Sequence, residues 1–350
     1  MASSQSRASQ PLILVRSSVN IDETYRVPHI VRPGETLSST SLVSRSGGKG
    51  ANVSAALGLQ GAQVYLCGAV GKDADWPVEE LERRGVKSDA VLRLDRVPTG
   101  RAIIQIADDG ENSISVLLPG ANFHREAAST SDPATAFKAL PRPPTHLVLQ
   151  NEIPLEHTKA FLSHAHAQGV TTIFNPSPML IQEKVRDFAW DELNVLIVNE
   201  GEGADLLEAF GVRVPEGPQA VLDALNDLKQ LAKLDWIVLT RGSKGVIARV
   251  RLSDSRENER AVLDKPSVKP KEVKDTTGAG DTFAGNLIHT LAQHQASEQT
   301  TKLLKRKDAE HVLEWAVTAA SMAVEVEGAL ESIPKRQEVQ HRWEQAWSQQ

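Results

Sequence analysis

A glycine-rich turn between two carboxylates is the segment of this chain whose residue types most directly suggest chemistry. It reads Asp275-Thr276-Thr277-Gly278-Ala279-Gly280-Asp281 and continues into an apolar helical pattern. Backbone N–H groups left uncovered by glycine, together with the positive end of the following helix, would bind an oxyanion or a phosphate. A carboxylate beside such a pocket is best explained as a base that removes a proton from an attacking hydroxyl. The segment therefore predicts phosphoryl transfer to an alcohol, with Asp281 as the base.

Other interpretations of this turn can be weighed from the sequence. No Gly-x4-Gly-Lys-[Ser/Thr] run occurs in the chain, so the turn is not a P-loop. The set of motifs that defines protein kinases is also missing. A plain helix N-cap with a tight turn would account for the same residues, and the segment alone leaves that alternative open.

A second glycine turn changes the balance between these interpretations. It reads Ser46-Gly47-Gly48-Lys49-Gly50-Ala51-Asn52 and opens a helix of small residues. The glycines allow the backbone to approach a ligand closely. The amide of Asn52 offers both a donor and an acceptor, which a sugar hydroxyl requires.

Carboxylates and amides follow two of the apolar runs that predict strands. Asn20 and Asp22 come after the run that starts at Leu12, and Glu152 comes after Leu147 to Leu149. Lys49 is the only cation in this candidate set. A phosphorylated sugar would call for clustered arginines, so this composition favours a neutral polyol.

Apolar runs that alternate with helical patterns predict the elements that position these residues. Strands are expected at 12–15, 64–70, 146–149, 170–174, 195–198 and 236–240, with helices between them. Such alternation predicts an α/β fold whose mostly parallel central sheet is covered on both faces. The candidate residues fall at strand ends, where ligands bind in these sheets. The stretches at about 20–43 and 91–118 alternate apolar and polar residues instead, which predicts a small antiparallel β lid.

Length and composition set further limits. The chain has 350 residues and a net charge of −6, so nucleic acid is not an expected partner. One cysteine rules out an internal disulfide framework, and no apolar run is long enough for a membrane span. We expect a cytoplasmic protein, with a nuclear location as a further option. Residues 1–10 are expected to form a disordered tail, 11–340 a single kinase domain, and 341–350 a C-terminal tail.

Taken together, these motifs resemble those of the PfkB carbohydrate kinase family and, within it, the ribokinase branch. The resemblance extends from about Leu12 to about Pro334 and includes both glycine turns. Further motifs occur in family order, including Gly120-Ala121-Asn122, Gln150-Asn151-Glu152, Asn199-Glu200-Gly201-Glu202 and Thr240-Arg241-Gly242-Ser243-Lys244-Gly245. The resemblance implies a three-layer, ribokinase-like fold and ATP-dependent phosphorylation of D-ribose at its 5-hydroxyl. It also implies Mg²⁺ and a monovalent cation, usually K⁺, as cofactors, and a homodimer formed through the lid as one option.

The resemblance also assigns roles to individual residues. Asp281 would be the catalytic base, and the anion hole would be formed by Gly278, Ala279 and Gly280. The sugar would be held by Asn20, Asp22, Gly48, Lys49, Gly50, Asn52, Glu152 and Asp281. The nucleotide would contact Asn199, Glu202, Thr240, Gly242, Ser243, Gly245 and Gly280. The monovalent cation would be bound by Asp275, Thr277, Ala323, Val326, Gly328 and Ser332.

The chain departs from the family pattern at a few positions. Val317 stands where relatives often place His or Asn against adenine, which leaves the base preference open. Leu330 and Glu331 replace a familiar Gln-Pro pair, and residues 251–274 are predicted to be a polar surface insertion. The open alternatives are a kinase for another sugar or a nucleoside, a catalytically silent sugar-binding regulator, and a structural protein that binds nucleotide or phosphate.

Overall fold

A computed structural model describes residues 10–109, 111–124, 131–255, 259–297 and 302–347 of the chain. The strands are β1 Leu12–Arg16, β2 Asn20–Val27, β3 Ser41–Gly47, β4 Gln63–Gly71, β5 Val91–Leu94, β6 Gly100–Ala107, β7 Asn112–Leu118, β8 His146–Gln150, β9 Thr171–Asn175, β10 Val195–Asn199, β11 Trp236–Thr240, β12 Val246–Arg251 and β13 Arg260–Lys265. The α-helices are α1 Lys49–Leu59, α2 Trp76–Arg83, α3 Pro133–Lys138, α4 Leu155–Ala167, α5 Gln182–Arg186, α6 Glu200–Ala209, α7 Pro218–Asp227, α8 Ala279–Ser297, α9 Arg306–Ala323 and α10 Arg336–Trp347.

The large sheet has nine strands in the order β13-β12-β11-β10-β9-β8-β1-β4-β5. Pairing is parallel from β11 through β5 and antiparallel at β11–β12 and β12–β13. Apolar side chains of each strand alternate between two core clusters: Ile13 and Val15 belong to one, Leu12 and Leu14 to the other. Helices α1, α8 and α9 cover the first cluster, and α4 to α7 cover the second. The prediction of a three-layer α/β fold with a mostly parallel sheet is confirmed.

The lid is a separate four-stranded sheet in the order β3-β2-β6-β7. Its outer pairs, β2–β3 and β6–β7, are antiparallel as predicted, but the central pair β2–β6 is parallel. One part of the expected lid lies elsewhere, because Val91–Leu94 pairs with β4 in the large sheet. This strand has only four residues, too few for the pattern of apolar and polar side chains to show which of the two sheets it joins.

Part of the segment 251–274 belongs to the large sheet and is not the surface insertion that its polarity predicted. Its residues Arg260–Lys265 form β13, which pairs antiparallel with β12 over six residues. Leu263 is buried in the core, and the buried guanidinium of Arg260 donates to the carbonyls of Leu231, Ala232 and Leu234. An edge strand with one solvated face carries polar residues, and this polarity resembled that of a loop.

The chain terminus packs on the fold through α10. Val339 is buried, and Trp343 packs against the cluster that contains Trp315. Residues 341–347 of the expected tail are therefore helical, whereas 348–350, like residues 1–9 of the expected N-terminal tail, lie outside the described residues. None of the helices in the described ranges is long and apolar enough to cross a membrane.

Candidate active site

Glu152 is the centre of a hydrogen-bond network where β8 ends, close to the first lid strand. Its Oε2 accepts from Ser18 Oγ at 2.5 Å, from the backbone N–H of Lys49 at 3.0 Å and from Asn20 Nδ2 at 3.5 Å. Gly50 N donates to Ser18 Oγ at 3.4 Å. The network joins the end of β1, the start of the lid and the first turn of α1, so these elements hold one another in place.

Asn20 is held by a second amide. Asn122 Nδ2 donates to Asn20 Oδ1 at 2.7 Å and to the carbonyl of Val19 at 3.1 Å, while Val19 N donates to Asn122 Oδ1 at 2.9 Å. Because both ends of the Asn122 amide are engaged, the orientation of the Asn20 side chain is fixed.

Asp281 lies in the first turn of α8 and is only 7% exposed. Its Oδ2 accepts a hydrogen bond of 2.8 Å from Asn52 Nδ2, on α1. Within the described part of the chain, Oδ1 accepts no hydrogen bond, so this oxygen of the carboxylate stays available to accept one. The pair connects the two glycine turns, since Asn52 belongs to the first and Asp281 to the second.

The turn before Asp281 depends on a glycine. Gly278 has φ +75°, and a Cβ at this position would lie 2.8 Å from the Cα of Ala329. Its carbonyl accepts the N–H of Thr282 at 2.8 Å, which closes the first turn of α8. The next two residues, Ala279 and Gly280, open the helix, and a Cβ on Gly280 would meet no heavy atom within 4 Å. The start of α8 thus presents open space beside N–H groups that helices leave without intrahelical acceptors.

The surroundings of Lys49 and Asp22 shift the pKa of both side chains. Asp281 has the largest effect on Lys49 and raises the pKa of its ammonium; burial opposes this rise, and Glu152 and Glu202 add to it. Burial, followed by the negative charges of Glu152, Asp281 and Glu331, raises the pKa of Asp22 to about 7. The backbone N–H of Lys49 contacts Glu152.

The nucleotide-side residues lie at the ends of two neighbouring strands. Asn199 in β10 pairs with Thr240 in β11. Asn199 caps α6: its Oδ1 accepts the N–H of Glu202 at 2.8 Å, and Glu202 Oε2 accepts the N–H of Asn199 at 2.9 Å. After Thr240 the chain makes an exposed turn over Gly242–Lys244, which contains Ser243. Gly245 N donates to the carbonyl of Gly242 at 3.0 Å and closes that turn.

The residues assigned to the monovalent cation lie on the loop before α8, at the last residue of α9 and on the loop that follows it. Asp275 Oδ2 accepts the N–H of Gly328 at 2.9 Å, and its Oδ1 accepts the N–H of Thr277 at the same distance. The carbonyl of Ala323 accepts the N–H of Val326 at 3.3 Å, so these two backbones share a turn, whereas the side chain of Val326 is 45% exposed. Ser332 is buried and donates to the carbonyl of Ala329, three residues before it.

The structure thus gathers Asn20, Glu152 and the backbone of Lys49 and Gly50 into one hydrogen-bond network, and Asn52 and Asp281 form a separate pair. Ser18 and Asn122 belong to the network, although neither was among the site residues predicted from the sequence. Asn122 stands in the Gly120-Ala121-Asn122 motif, which was a usable signal, whereas Ser18 had none. Val317 lies on α9 and is buried in the first core cluster.

Comparisons with known proteins identify the family. The pfkB family carbohydrate kinase domain is matched by residues 10–336. The chain is 30% identical to the ribokinase of Haemophilus influenzae over 329 residues, which is 93% of this chain and 96% of that protein.

Two crystal structures share its architecture. Ribokinase from Cryptococcus neoformans var. grubii in complex with ADP is 40% identical, with a TM-score of 0.78, and the match covers 95% of this chain and 100% of that one. Arabidopsis thaliana ribokinase complexed with ribose and ATP is 26% identical, with a TM-score of 0.77, over 95% of this chain and 98% of that one. The chain therefore belongs to the pfkB family of carbohydrate kinases.

Proposed function

We propose that this protein transfers the γ-phosphoryl group of ATP to the 5-hydroxyl of D-ribose, which gives D-ribose 5-phosphate and ADP. The observation that carries the proposal is the position of Asp281. This buried carboxylate lies at the N-terminus of α8, and Asn52 ties it to the helix that opens the sugar-side network. The ribokinases from H. influenzae, C. neoformans and A. thaliana support the choice of sugar.

The sugar is held by neutral amides and carboxylates. Asn20, Asn52 and Glu152 offer acceptors and donors at fixed orientations because each is already engaged in a hydrogen bond. Asp22 accepts from sugar hydroxyls when it is ionised. With these groups in place, the ribose 5-hydroxyl is directed at Asp281.

The chemical step needs one proton acceptor and one site for developing charge. Asp281 accepts the proton of the ribose 5-hydroxyl while the hydroxyl oxygen forms a bond to the γ-phosphorus of ATP. At the same time the bond from the γ-phosphorus to the β-γ bridging oxygen breaks. ADP carries away the electron pair of that bond. The N–H groups of Gly278, Ala279 and Gly280, with the helix dipole of α8, stabilise the charge on the transferring phosphoryl oxygens. Lys49 adds a positive charge in the same region.

ATP, Mg²⁺ and a monovalent cation fit the residues available. The exposed turn at 242–244 and the end of β11 leave backbone groups for the nucleotide. No cluster of three or more His, Cys, Asp or Glu able to hold a metal occurs among the residues that the structure covers, so Mg²⁺ would be bound mainly by phosphates and water, with Asn199 and Glu202 nearby. Oxygens of the Asp275 and Gly328 loops suit K⁺. When bound, these ions neutralise phosphate charge.

The test is ADP release from ATP and Mg²⁺ with D-ribose, 2-deoxyribose, fructose or adenosine, each in Na⁺ and in K⁺. We expect strong release that depends on ribose and rises with K⁺. Release only with another acceptor would keep the mechanism and change the substrate. Ribose binding without release for any acceptor would indicate a silent sugar-binding protein instead. A cytoplasmic location and a homodimer through the lid remain predictions.

A further inference from the structure

An ion pair joins the lid to the loop that follows α9, outside the residues assigned to substrates above. Arg45 lies in β3 of the lid, and its Nε is 3.7 Å from Oε1 of Glu331. Arg45 is directly opposite Asp22 in the β2–β3 register, and cross-strand partners project from the same face of a sheet. The pair is therefore on the face of the lid that carries the proposed sugar ligand Asp22.

The pair also packs closely on a glycine of the same loop. Gly328 has φ +90°, and a Cβ there would lie 2.5 Å from Glu331 Oε2 and 3.3 Å from Arg45 Cδ. The carboxylate and the stem of Arg45 therefore sit against the backbone of Gly328. Its N–H in turn donates to Asp275 Oδ2 at 2.9 Å.

Asp275 continues this chain of contacts toward the start of α8. Its Oδ1 accepts the N–H of Thr277, which directly precedes Gly278.

We propose that Arg45 and Glu331 form a latch that holds the lid closed over the sugar and links closure to the loop that carries the anion hole. Glu331 is one of the two residues at which this segment departs from the expected family pattern, and neither Arg45 nor Glu331 is among the residues assigned to substrates or ions. The proposal rests on the proposed function in that a sugar is the acceptor. Arg45 and Glu331 would be positioning residues, since neither touches the reacting atoms.

The solvent exposure of the Arg45 and Glu331 side chains sets how strongly breaking their ion pair should affect ribose binding. Arg45 and Glu331 are 32% and 41% exposed, so solvent screens their attraction. Neutralising such a pair typically shifts an equilibrium about two- to fivefold, and reversing one charge adds repulsion to that loss. Closure affects the sugar more than the nucleotide, because the lid carries Asn20 and Asp22. We therefore expect KM for ribose to rise and KM for ATP to stay nearly unchanged.

A charge-swap experiment tests the latch. At about pH 9, where Asp22 is ionised despite the negative charge of Glu331, Arg45→Glu and Glu331→Arg should each raise KM for ribose about five- to tenfold, with kcat and KM for ATP within about twofold of wild type. The double variant Arg45→Glu/Glu331→Arg should recover KM for ribose to within about threefold of wild type. Arg26→Glu is the matched control, because Arg26 is an exposed arginine of β2 in the same lid. It should leave all three constants unchanged.

Two results would overturn the latch. One is a double variant whose KM for ribose is raised by the product of the factors measured for the two single variants. The other is an equal rise in KM for ribose and for ATP. Amide hydrogen exchange of Ser41–Gly47, measured without any substrate, separates this proposal from the proposed function. Arg45→Glu should speed exchange in β3 and Arg26→Glu should not; equal exchange in both variants would contradict the latch. If ribose supports no ADP release, the same KM comparison applies to the acceptor that does.

Discussion

The proposed sugar end and the proposed nucleotide end of the site hold their polar groups in different ways. At the sugar end, side chains contact one another: Glu152 accepts from Ser18 and Asn20, and Asp281 accepts from Asn52. At the nucleotide end, the groups are exposed backbone turns, and the side chains of Asn199 and Glu202 cap their own helix. Residue identity therefore matters most at the sugar end, where each substitution removes a partner from a neighbour.

This difference has an electrostatic consequence. The sugar end gathers Asp22, Glu152 and Asp281, and the only cation among the proposed sugar ligands is Lys49. Crowded carboxylates repel, and the repulsion contributes to the raised pKa of Asp22. Changes of pH are therefore expected to act on sugar binding first.

The largest expected effect is at the proposed base. Asp281→Asn keeps the size of the side chain but removes the proton acceptor, so kcat should fall by about 10²- to 10⁴-fold. Ribose affinity, measured by calorimetry, should stay within about threefold of wild type, since the other sugar ligands remain. Near-normal turnover of the variant would show that another group takes the proton.

The next largest effect is expected for Asp22→Ala. The variant loses a carboxylate that accepts sugar hydroxyls, and hydrogen bonds to charged groups are worth about 10- to 100-fold in affinity. KM for ribose should rise by that factor while KM for ATP changes little. Equal losses for both substrates would remove the distinction between the two ends of the cleft.

A smaller effect is expected from pH in the wild-type protein. Asp22 has a raised pKa of about 7, so it becomes protonated as pH falls through 7. If the ionised form binds sugar, the dissociation constant of ribose should rise about tenfold per pH unit below that value. Calorimetry without nucleotide measures this free of the chemical step. Asp22→Asn is the control, and its affinity should not change between pH 5.5 and 8.

The same raised pKa predicts how stability depends on pH. A carboxyl group whose pKa is higher in the folded state binds more protons there, so its contribution falls as pH rises from its ordinary value of 3.8 to about 7. Asp22→Asn should therefore be more stable than wild type at pH 8, and the difference should vanish near pH 3.5. Thermal unfolding at both pH values checks this. A difference that does not depend on pH would contradict the assignment.

The smallest effect is expected at the nucleotide end. Asn199→Ala removes one half of the capping box of α6 and should cost about 1 kcal/mol of folding free energy. Asp205→Asn, at an exposed position within the same helix, is the control and should be nearly neutral. Denaturant unfolding measures both. A loss of several kcal/mol in Asn199→Ala would mean that Asn199 does more than cap.

The sequence predicted most of what depends on local pattern. Buried strands such as Val195–Asn199 were predictable because a parallel sheet covered on both faces requires continuous apolar runs. Glycine turns before helices marked Asn52 and Asp281, since an open backbone at a helix start is a local property. The contact between these two residues, which are 229 positions apart, was not given by either turn alone.

The features that were not predicted from the sequence depend on pairing between distant segments of the chain. Val91–Leu94 and Arg260–Lys265 were assigned to a lid and to an insertion because polarity alone does not tell which sheet edge a short strand joins. Ser18 was not found because a serine acquires its role only when the chain brings Glu152 to it. The pair Arg45–Glu331 likewise joins residues from opposite ends of the sequence.

The most direct test of the central claim compares D-ribose with 5-deoxy-D-ribose in the presence of ATP and Mg²⁺. The analogue lacks only the hydroxyl that Asp281 is proposed to deprotonate. We predict that it competes with ribose for binding but supports no ADP release above the rate without acceptor. Steady ADP release with 5-deoxy-D-ribose, accompanied by a phosphorylated product, would show that another hydroxyl is the acceptor and would contradict the proposed geometry.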